Sequence, residues 1–467
     1  MARWPLPLFI ACIAVTLCGS AAGQTAVAPV IDAADTSVLL KALSDAPSQG
    51  FDSAEFDPGR AGELLQSSDP ATRQAGQARL AAAAIAFARA QHGGRVAGRF
   101  LTNWAIRPTD YDARAAFDAA LAQHRLAGWT AALAPPDGRY GLLVQTYARY
   151  QQIAARGGWG TLAVKPVLKA GATGERVEAL RRRLSVEDAS VPPAATMEPA
   201  YDPALAAAVS RAQARYGLNP DGVAGASTVA ALNTPVARRL GQIRANLERW
   251  RWAPRDMPAY RAELNIADAS LALYDGGQPA LLMRAIVGRP SKPTPMFQDR
   301  IQAVIFNPPW NVPADIAAKE LWPKIRRDPG YMAREHFVVR PGGGLQQLPG
   351  PDCALGTIKF DLSNRFGVYL HDTPARSLFA RDARALSHGC MRLENPNALA
   401  RRLLAGDPTW TPTQIDMALM SGKTVRAPLQ RPVPVYVFYW TVFVDNQGQV
   451  QFRPDVYRWD EKLLALV

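Results

Sequence analysis

The sequence predicts a multidomain α+β protein: an all-α N-terminal scaffold, a three-helix domain, and a mostly-β domain of sandwich or barrel-like form. Three observations carry this expectation. The chain has 467 residues, too many for one hydrophobic core, so roughly two to four domains are expected. Apolar residues recur at helical spacing as far as residue 233. From Tyr260 onward the apolar period changes to two, the repeat of a strand with one buried face.

Residues 1–23 read as a signal peptide. Arg3 supplies a positive start, Leu6 to Leu17 an apolar run, and Ser20-Ala21-Ala22-Gly23 a small-residue cleavage site. The apolar run is shorter than the roughly 20 residues that span a bilayer, so export to the periplasm is expected, with no stable membrane span. Cys12 and Cys18 leave with that segment, and the mature chain keeps Cys353 and Cys390. In an oxidising compartment these either pair or stay free, and a tolerated free thiol at Cys390 would point to chemistry. Export argues against a nucleic-acid partner for the formal charge of +13. That charge reflects either an Arg-rich composition alone or an anionic envelope polymer as partner.

Residues 24–160 form the helical scaffold. Leu80, Ile85 and Phe87, then Phe117, Leu121 and Leu126, follow helical spacing, and Asp69-Pro70, Gly93-Gly94 and Pro135-Pro136 break the pieces apart. Nothing here carries chemistry. Residues 165–235 form the three-helix domain. Val177, Leu180 and Leu184 lie on one helical face, Leu205, Val209, Ala212 and Tyr216 on a second, and a third helix opens near Ser227 or Thr228. With Gly171, Gly174, Gly217, Gly222 and Gly225 at its turns, this segment resembles a peptidoglycan-binding-like domain. Its loop from Ser185 to Thr196 is longer than a minimal version needs, so glycan binding and simple packing against a neighbour both stay open.

Residues 258–430 form the mostly-β domain. Leu271 and Leu273 face Leu281, Met283, Ala285 and Val287 across the turn Asp275-Gly276-Gly277, a hairpin signal. A short lid is expected at 314–351, helical at its start and turn-rich at "RPGGGLQQLPGP". Residues 431–467 add a C-terminal β-hairpin, with Val433, Val435, Val437, Tyr439, Thr441 and Phe443 alternating up to "DNQGQV".

Between these β-rich pieces lies "YLHDTPARSLFARDARALSHGCMRL", Tyr369 to Leu393, which gathers two of the five histidines and one of the four cysteines. A cysteine attacks as thiolate, and its usual pKa of about 8.5 leaves little ionised at neutrality, so a base must take the proton. Histidine suits that exchange. His388 stands two positions from Cys390 and would share a strand face with it, while His371, nineteen positions upstream, must be brought back by the fold. Gly389 lets the backbone approach closely and offers an N–H to a substrate oxygen. Two other readings stand beside this one. His371, His388 and Cys390, with Asp372 or Cys353, would be a zinc set, though its spacing is poor; or the His and Cys simply pack in a β core.

The stretch resembles the signature of the L,D-transpeptidase catalytic domain (YkuD type), in which a histidine precedes a Ser/Thr-His-Gly-Cys tetrapeptide. "MRLENP", "RANLERWRW", "IVGRPSKPTPMF" and "NPPWNVP" are similar to segments of the large multidomain Gram-negative members. The resemblance implies Cys390 as nucleophile and His371 as general base, oriented by a backbone carbonyl. It implies Gly389, with Tyr369, at the oxyanion, and Ser387, His388, Arg392, Trp310 and Asn311 as substrate-binding or supporting residues. Arg392 would pair with a substrate carboxylate or, structurally, with Glu394 or Asp382. The implied activity is acyl transfer between peptidoglycan stem peptides, donor and acceptor, through a Cys thioester, without metal or cofactor and open to acylation by carbapenems. L,D-carboxypeptidase action and a non-catalytic wall-binding role remain the alternatives.

Overall fold

The computed structural model describes residues 30–96, 103–106, 110–191 and 200–467, so the expected signal peptide lies outside the described residues. The fold is multidomain α+β, as the change of period at Tyr260 predicts.

The N-terminal body holds α1 (Ala33–Ser44), α2 (Pro58–Leu65), α3 (Pro70–Gly93), α4 (Ala113–Ala122), α5 (Leu126–Ala132) and α6 (Gly138–Ala155). Asp32, Asp57, Asp69, Asp112 and Asp137 cap five of these helices, each side chain accepting a first-turn N–H. Such a cap is worth about 1 kcal/mol. Leu80, Ile85, Phe87, Phe117, Leu121 and Leu126 all enter one buried cluster.

The three-helix module follows as α7 (Glu175–Ser185), α8 (Pro203–Arg215) and α9 (Ala226–Leu232), with Val177, Leu184, Leu205 and Val209 buried among them. Its buried Glu187 accepts from Tyr150 of α6 and Tyr216, each at 2.5 Å, and pairs with Arg183 at 2.7 Å. These bonds lock the module to the helical body. Next, α10 (Val236–Trp252) is buried on almost every side although it reads "RANLERWRW". Its arginines pay for burial by pairing: Arg251 with Glu248 at 2.9 Å and Arg249 with Asp460 at 2.5 Å.

The β domain comprises β1 (Arg261–Asn265), β2 (Ser270–Asp275), β3 (Gln278–Gly288), β4 (Phe297–Phe306), β5 (Trp310–Asn311), β6 (Phe337–Val339), β7 (Leu345–Gln347), β8 (Ile358–Asp361), β9 (Leu370–His371), β10 (Ala385–Ser387), β11 (Met391–Leu393), β12 (Val425–Phe438), β13 (Val442–Val444) and β14 (Val450–Phe452). The order β3-β11-β9-β8-β4-β12-β1-β2 returns to β3, because β3 pairs with β2 along most of its length and with β11 at Ala285 and Ile286. The sheet therefore closes into a barrel and leaves few exposed edges. Beside it, β10 attaches in parallel to the last residues of β3.

Two sequence expectations are corrected here. The expected division at 430/431 falls inside β12, which pairs with β4 on both sides of an irregularity between Pro428 and Val433. The alternating run to Phe443 is also two elements: β12 ends at Phe438, and β13 with β14 makes a separate hairpin. The break comes where Trp440 stacks on Trp250 of α10 at 4.7 Å and its backbone bonds the Asn265 side chain. Burial on both sides, not alternation, governs this stretch.

The lid is more than a helix. It contains α11 (Ala314–Ile316), a π-turn at 317–321, α12 (Trp322–Arg327), α13 (Tyr331–Arg334) and the small sheet β5-β7-β6, around a core of Ala317, Leu321, Phe337 and Leu345. The chain finishes the domain with α14 (Pro396–Leu403), α15 (Pro412–Met420) and α16 (Trp459–Leu464). No helix among the described residues is long and apolar enough to cross a membrane.

Candidate active site

Strand pairing brings the two halves of the histidine–cysteine stretch together. β11 runs parallel to β9, with Met391 opposite Leu370 and Arg392 opposite His371, and Met391 N donates to Tyr369 O at 3.0 Å. Cys390 therefore enters the barrel beside Tyr369 and His371. Nineteen residues of separation collapse to one strand spacing.

His371 is 4% exposed, and its Nδ1 stands 2.5 Å from the Asp372 carbonyl. That contact fixes the tautomer: Nδ1 carries the proton and donates, leaving Nε2 with the lone pair. Asp372 contributes its backbone, since its carboxylate is engaged by Thr357 N at 2.9 Å and by Arg376 at 3.2 Å.

Electrostatics set the resting state. Burial, with the Arg392 and Lys359 charges, pushes the His371 imidazolium down to about 3. Burial pushes the Cys390 thiol up, against hydrogen bonds from Tyr369 and the positive charges of Lys359 and Arg392. At neutral pH the pair at rest is thus neutral thiol and neutral imidazole, not a standing ion pair. The nearby cations favour an anion once one forms, on sulfur or on a substrate oxygen.

Tyr369 lies beside the cysteine: its ring is 5.5 Å from the His371 ring, and its hydroxyl and the Cys390 thiol each shift the other's ionisation. Lys359, opposite His371 on β8, holds its ammonium 4.3 Å from the centre of the Tyr369 ring.

The loop before the cysteine is internally braced. Ser387 is buried; its hydroxyl donates to Cys390 O at 2.6 Å and accepts from Gly389 N at 3.1 Å. The Gly389 N–H is thus bonded to the Ser387 hydroxyl in this structure. Gly389 is needed for its backbone, since φ of +115° is a region other residues rarely adopt. The Cys390 N–H meets no acceptor among the described residues.

The other expected residues divide. His388 turns to the lid, with Nε2 2.6 Å from Glu320 Oε1. Arg392 makes no ion pair with Glu394, which binds Arg284, and its Nε is buried without a partner. Trp310 is half-buried between the lid core and Tyr369. Asn311 faces the lid sheet, its Oδ1 accepting from Gln346 at 2.6 Å, so its bonds lie within the lid. Cys353 and Cys390 are both free thiols; Cys353 is buried, with Sγ 3.5 Å from Pro308 O. Among the described residues, His371, His388 and Cys390 do not converge at metal-ligand spacing.

Four residues escaped the sequence reading: Thr294, Tyr457, Glu320 and Lys359. Thr294 Oγ1 donates to Gly389 O at 2.8 Å and accepts from Gly288 N at 2.9 Å. Tyr457 accepts from Thr294 N at 3.3 Å and donates to Gly288 O. The sole hint was Thr294 between two prolines in "KPTP".

Comparison with known proteins places names on these parts. Residues 259–414 match the YkuD family, "L,D-transpeptidase catalytic domain", residues 31–146 the "Scaffold domain", and residues 173–232 the "Putative peptidoglycan binding domain". A curated Haemophilus influenzae protein named "Putative L,D-transpeptidase" is 34% identical over 220 residues, 43% of this chain and 44% of that protein. The match thus spans less than half of the relative's length. Among solved structures, an L,D-transpeptidase from Mycobacterium smegmatis is 18% identical, with 38% of this chain and 58% of that one covered and a TM-score of 0.23. One from Xylanimonas cellulosilytica is 16% identical, with 59% and 99% covered and a TM-score of 0.21.

Proposed function

We propose that this chain, whose residues 259–414 match the YkuD-type L,D-transpeptidase catalytic domain, is a periplasmic cysteine acyltransferase that makes 3→3 cross-links between peptidoglycan stems. The observation that carries the reading is the Cys390 thiol set beside Tyr369 and His371, with His371 Nδ1 held on the Asp372 carbonyl.

The chemistry follows from the resting protonation. Cys390 Sγ attacks the carbonyl of the third residue of a tetrapeptide stem, a diaminopimelate, while its proton passes to His371 Nε2. The oxyanion takes hydrogen bonds from the Cys390 N–H and the Tyr369 hydroxyl. Collapse breaks the C–N bond, His371 returns the proton to the departing D-alanine amine, and a thioester remains. A side-chain amine of a second stem then attacks the thioester, His371 takes its proton, and the amide forms as sulfur leaves and is reprotonated. Starting from a neutral pair, the proton moves with the attack, so the cost of separating charge is met only in the transition state.

Digestion of purified sacculi after incubation with the protein, followed by chromatography, tests this. New 3→3 dimers that vanish in Cys390→Ala are expected. Tripeptides without dimers would mean that water is the acceptor, and no change at all would leave a wall-binding role.

A further inference from the structure

The module and the barrel enclose a groove. A cavity of about 990 Å³ lies between the 214–220 turn of the three-helix module and the barrel segments 266–269, 380–385 and 453–456. Arg453 fixes its two walls. Its Nε pairs with Asp268 at 2.5 Å, and its Nη1 donates to Arg215 O of the module at 3.1 Å. Gly217, at φ +71°, permits this approach, since a Cβ there would stand 2.6 Å from Arg453 Cδ.

Arginines outnumber carboxylates on the lining, although Arg453 pairs with Asp268 and Arg284 with Glu394. Arg284, Arg381, Arg384 and Arg453 line it against Asp268 and Asp382. Arg384 is held by the Asp268 carbonyl at 2.8 Å and the Arg381 carbonyl at 2.9 Å; its Nε is buried without a partner, so the remaining hydrogens of its two terminal nitrogens are what it can offer to the groove. Arg381 is exposed, and its side chain makes no hydrogen bond or ion pair with the described residues. One wall is Ala385, the first residue of β10, which continues into Ser387 and Cys390. Five residues of chain reach at most about 18 Å. The groove thus ends within the length of a stem peptide from the nucleophile.

We propose that this groove is a second peptidoglycan site, which holds a carboxylate-rich stem peptide through Arg381 and Arg384 while another stem occupies Cys390. This rests on the function proposed above. The volume suits a sugar-linked peptide, the arginine forks match carboxylates, and the 173–232 segment that supplies one wall matches a peptidoglycan-binding family. Two stems held on one chain would raise the local concentration of peptidoglycan at the thiol.

The test uses the full chain with Cys390→Ala, titrated calorimetrically with a purified disaccharide-tetrapeptide at two salt concentrations. Added Arg381→Glu should weaken binding about tenfold and flatten the salt dependence. Added Asn219→Trp, which fills the groove from an exposed turn, should weaken it similarly without a charge change. In the Cys390 chain, neither substitution should alter the rate of acylation by meropenem, a small reagent that needs only the thiol site. Unchanged affinity in both variants, no binding by the parent, or equal binding of the peptide-free disaccharide would each overturn the proposal. Failure of meropenem to acylate the parent would instead count against the acyltransferase reading, because the titration does not use the thiol.

Discussion

Glu320 of the lid stands 2.6 Å from His388, the residue two before Cys390. Arg289 approaches the same carboxylate at 3.5 Å, and Lys292 pairs with Asp315 at 2.7 Å, so two ion-pair clusters tie the lid to the 387–390 loop and to the β3–β4 turn. Glu320 lies in a π-turn, a local widening often found where a helix serves a site.

The His388 contact holds the Glu320 carboxyl below the usual carboxylate range. The contact is therefore fully present above about pH 4.3, the ordinary Glu value, and is lost as pH falls through the lowered one. Hydrogen-exchange protection factors of residues 314–327, which correct for the slower intrinsic exchange in acid, should stay high at pH 5 and fall toward pH 3. Glu320→Gln should show the low protection at both. Because Glu320 is more than a third exposed, high salt should reproduce part of the effect.

The depressed His371 makes a second pH prediction. A standing thiolate–imidazolium pair would keep Cys390 reactive from mildly acid pH upward. Here the imidazole is neutral down to about 3 and the thiol is pushed up, so reactivity should climb with pH across 6 to 9 without an acid plateau. Rates of iodoacetamide alkylation at Cys390, followed by mass spectrometry, check this. Below about pH 6.5 the unfolded chain binds a proton at His371 that the folded chain refuses, so stability is lost as pH falls from there toward 3. His371→Asn should shrink that slope in chemical unfolding at pH 4 and 7.

Ser387 gives a third. Its hydroxyl satisfies Cys390 O and Gly389 N at once, both in buried surroundings. Ser387→Ala orphans both and should cost about 1–3 kcal/mol of stability. It should also slow meropenem acylation, since the Cys390 N–H is aimed by this loop. Ser387→Thr keeps the hydroxyl and should restore both the melting temperature and the rate.

Cys390, His371 and Tyr369 stood out as candidates because all three lie in one 25-residue stretch rich in reactive residue types. Helical cores such as Val177–Leu184 were legible because local periodicity reports burial. Barrel closure was not: it depends on β3 sharing its length between β2 and β11, pairings that no local pattern encodes. Thr294, Glu320 and Lys359 are common residue types, given meaning only by what the fold sets against them. Gly389 carries a positive φ, and its N–H is bonded to Ser387. A sequence shows that an N–H exists there but not that Ser387 already holds it.

Lys359 carries the last prediction. It sits on β8 across from His371, its ammonium over the Tyr369 ring, and its charge opposes the imidazolium while favouring the Cys390 anion. A unit charge several ångströms away at an effective dielectric of about 20 is worth a few kcal/mol before screening. Removing it by Lys359→Met should raise the thiol further and slow acylation by meropenem about tenfold at pH 7. Lys359→Arg retains the charge and should recover most of the rate. Packing against Tyr369 alone does not need the charge, so the ratio of the two variants' rates separates electrostatic support of the sulfur from a structural role.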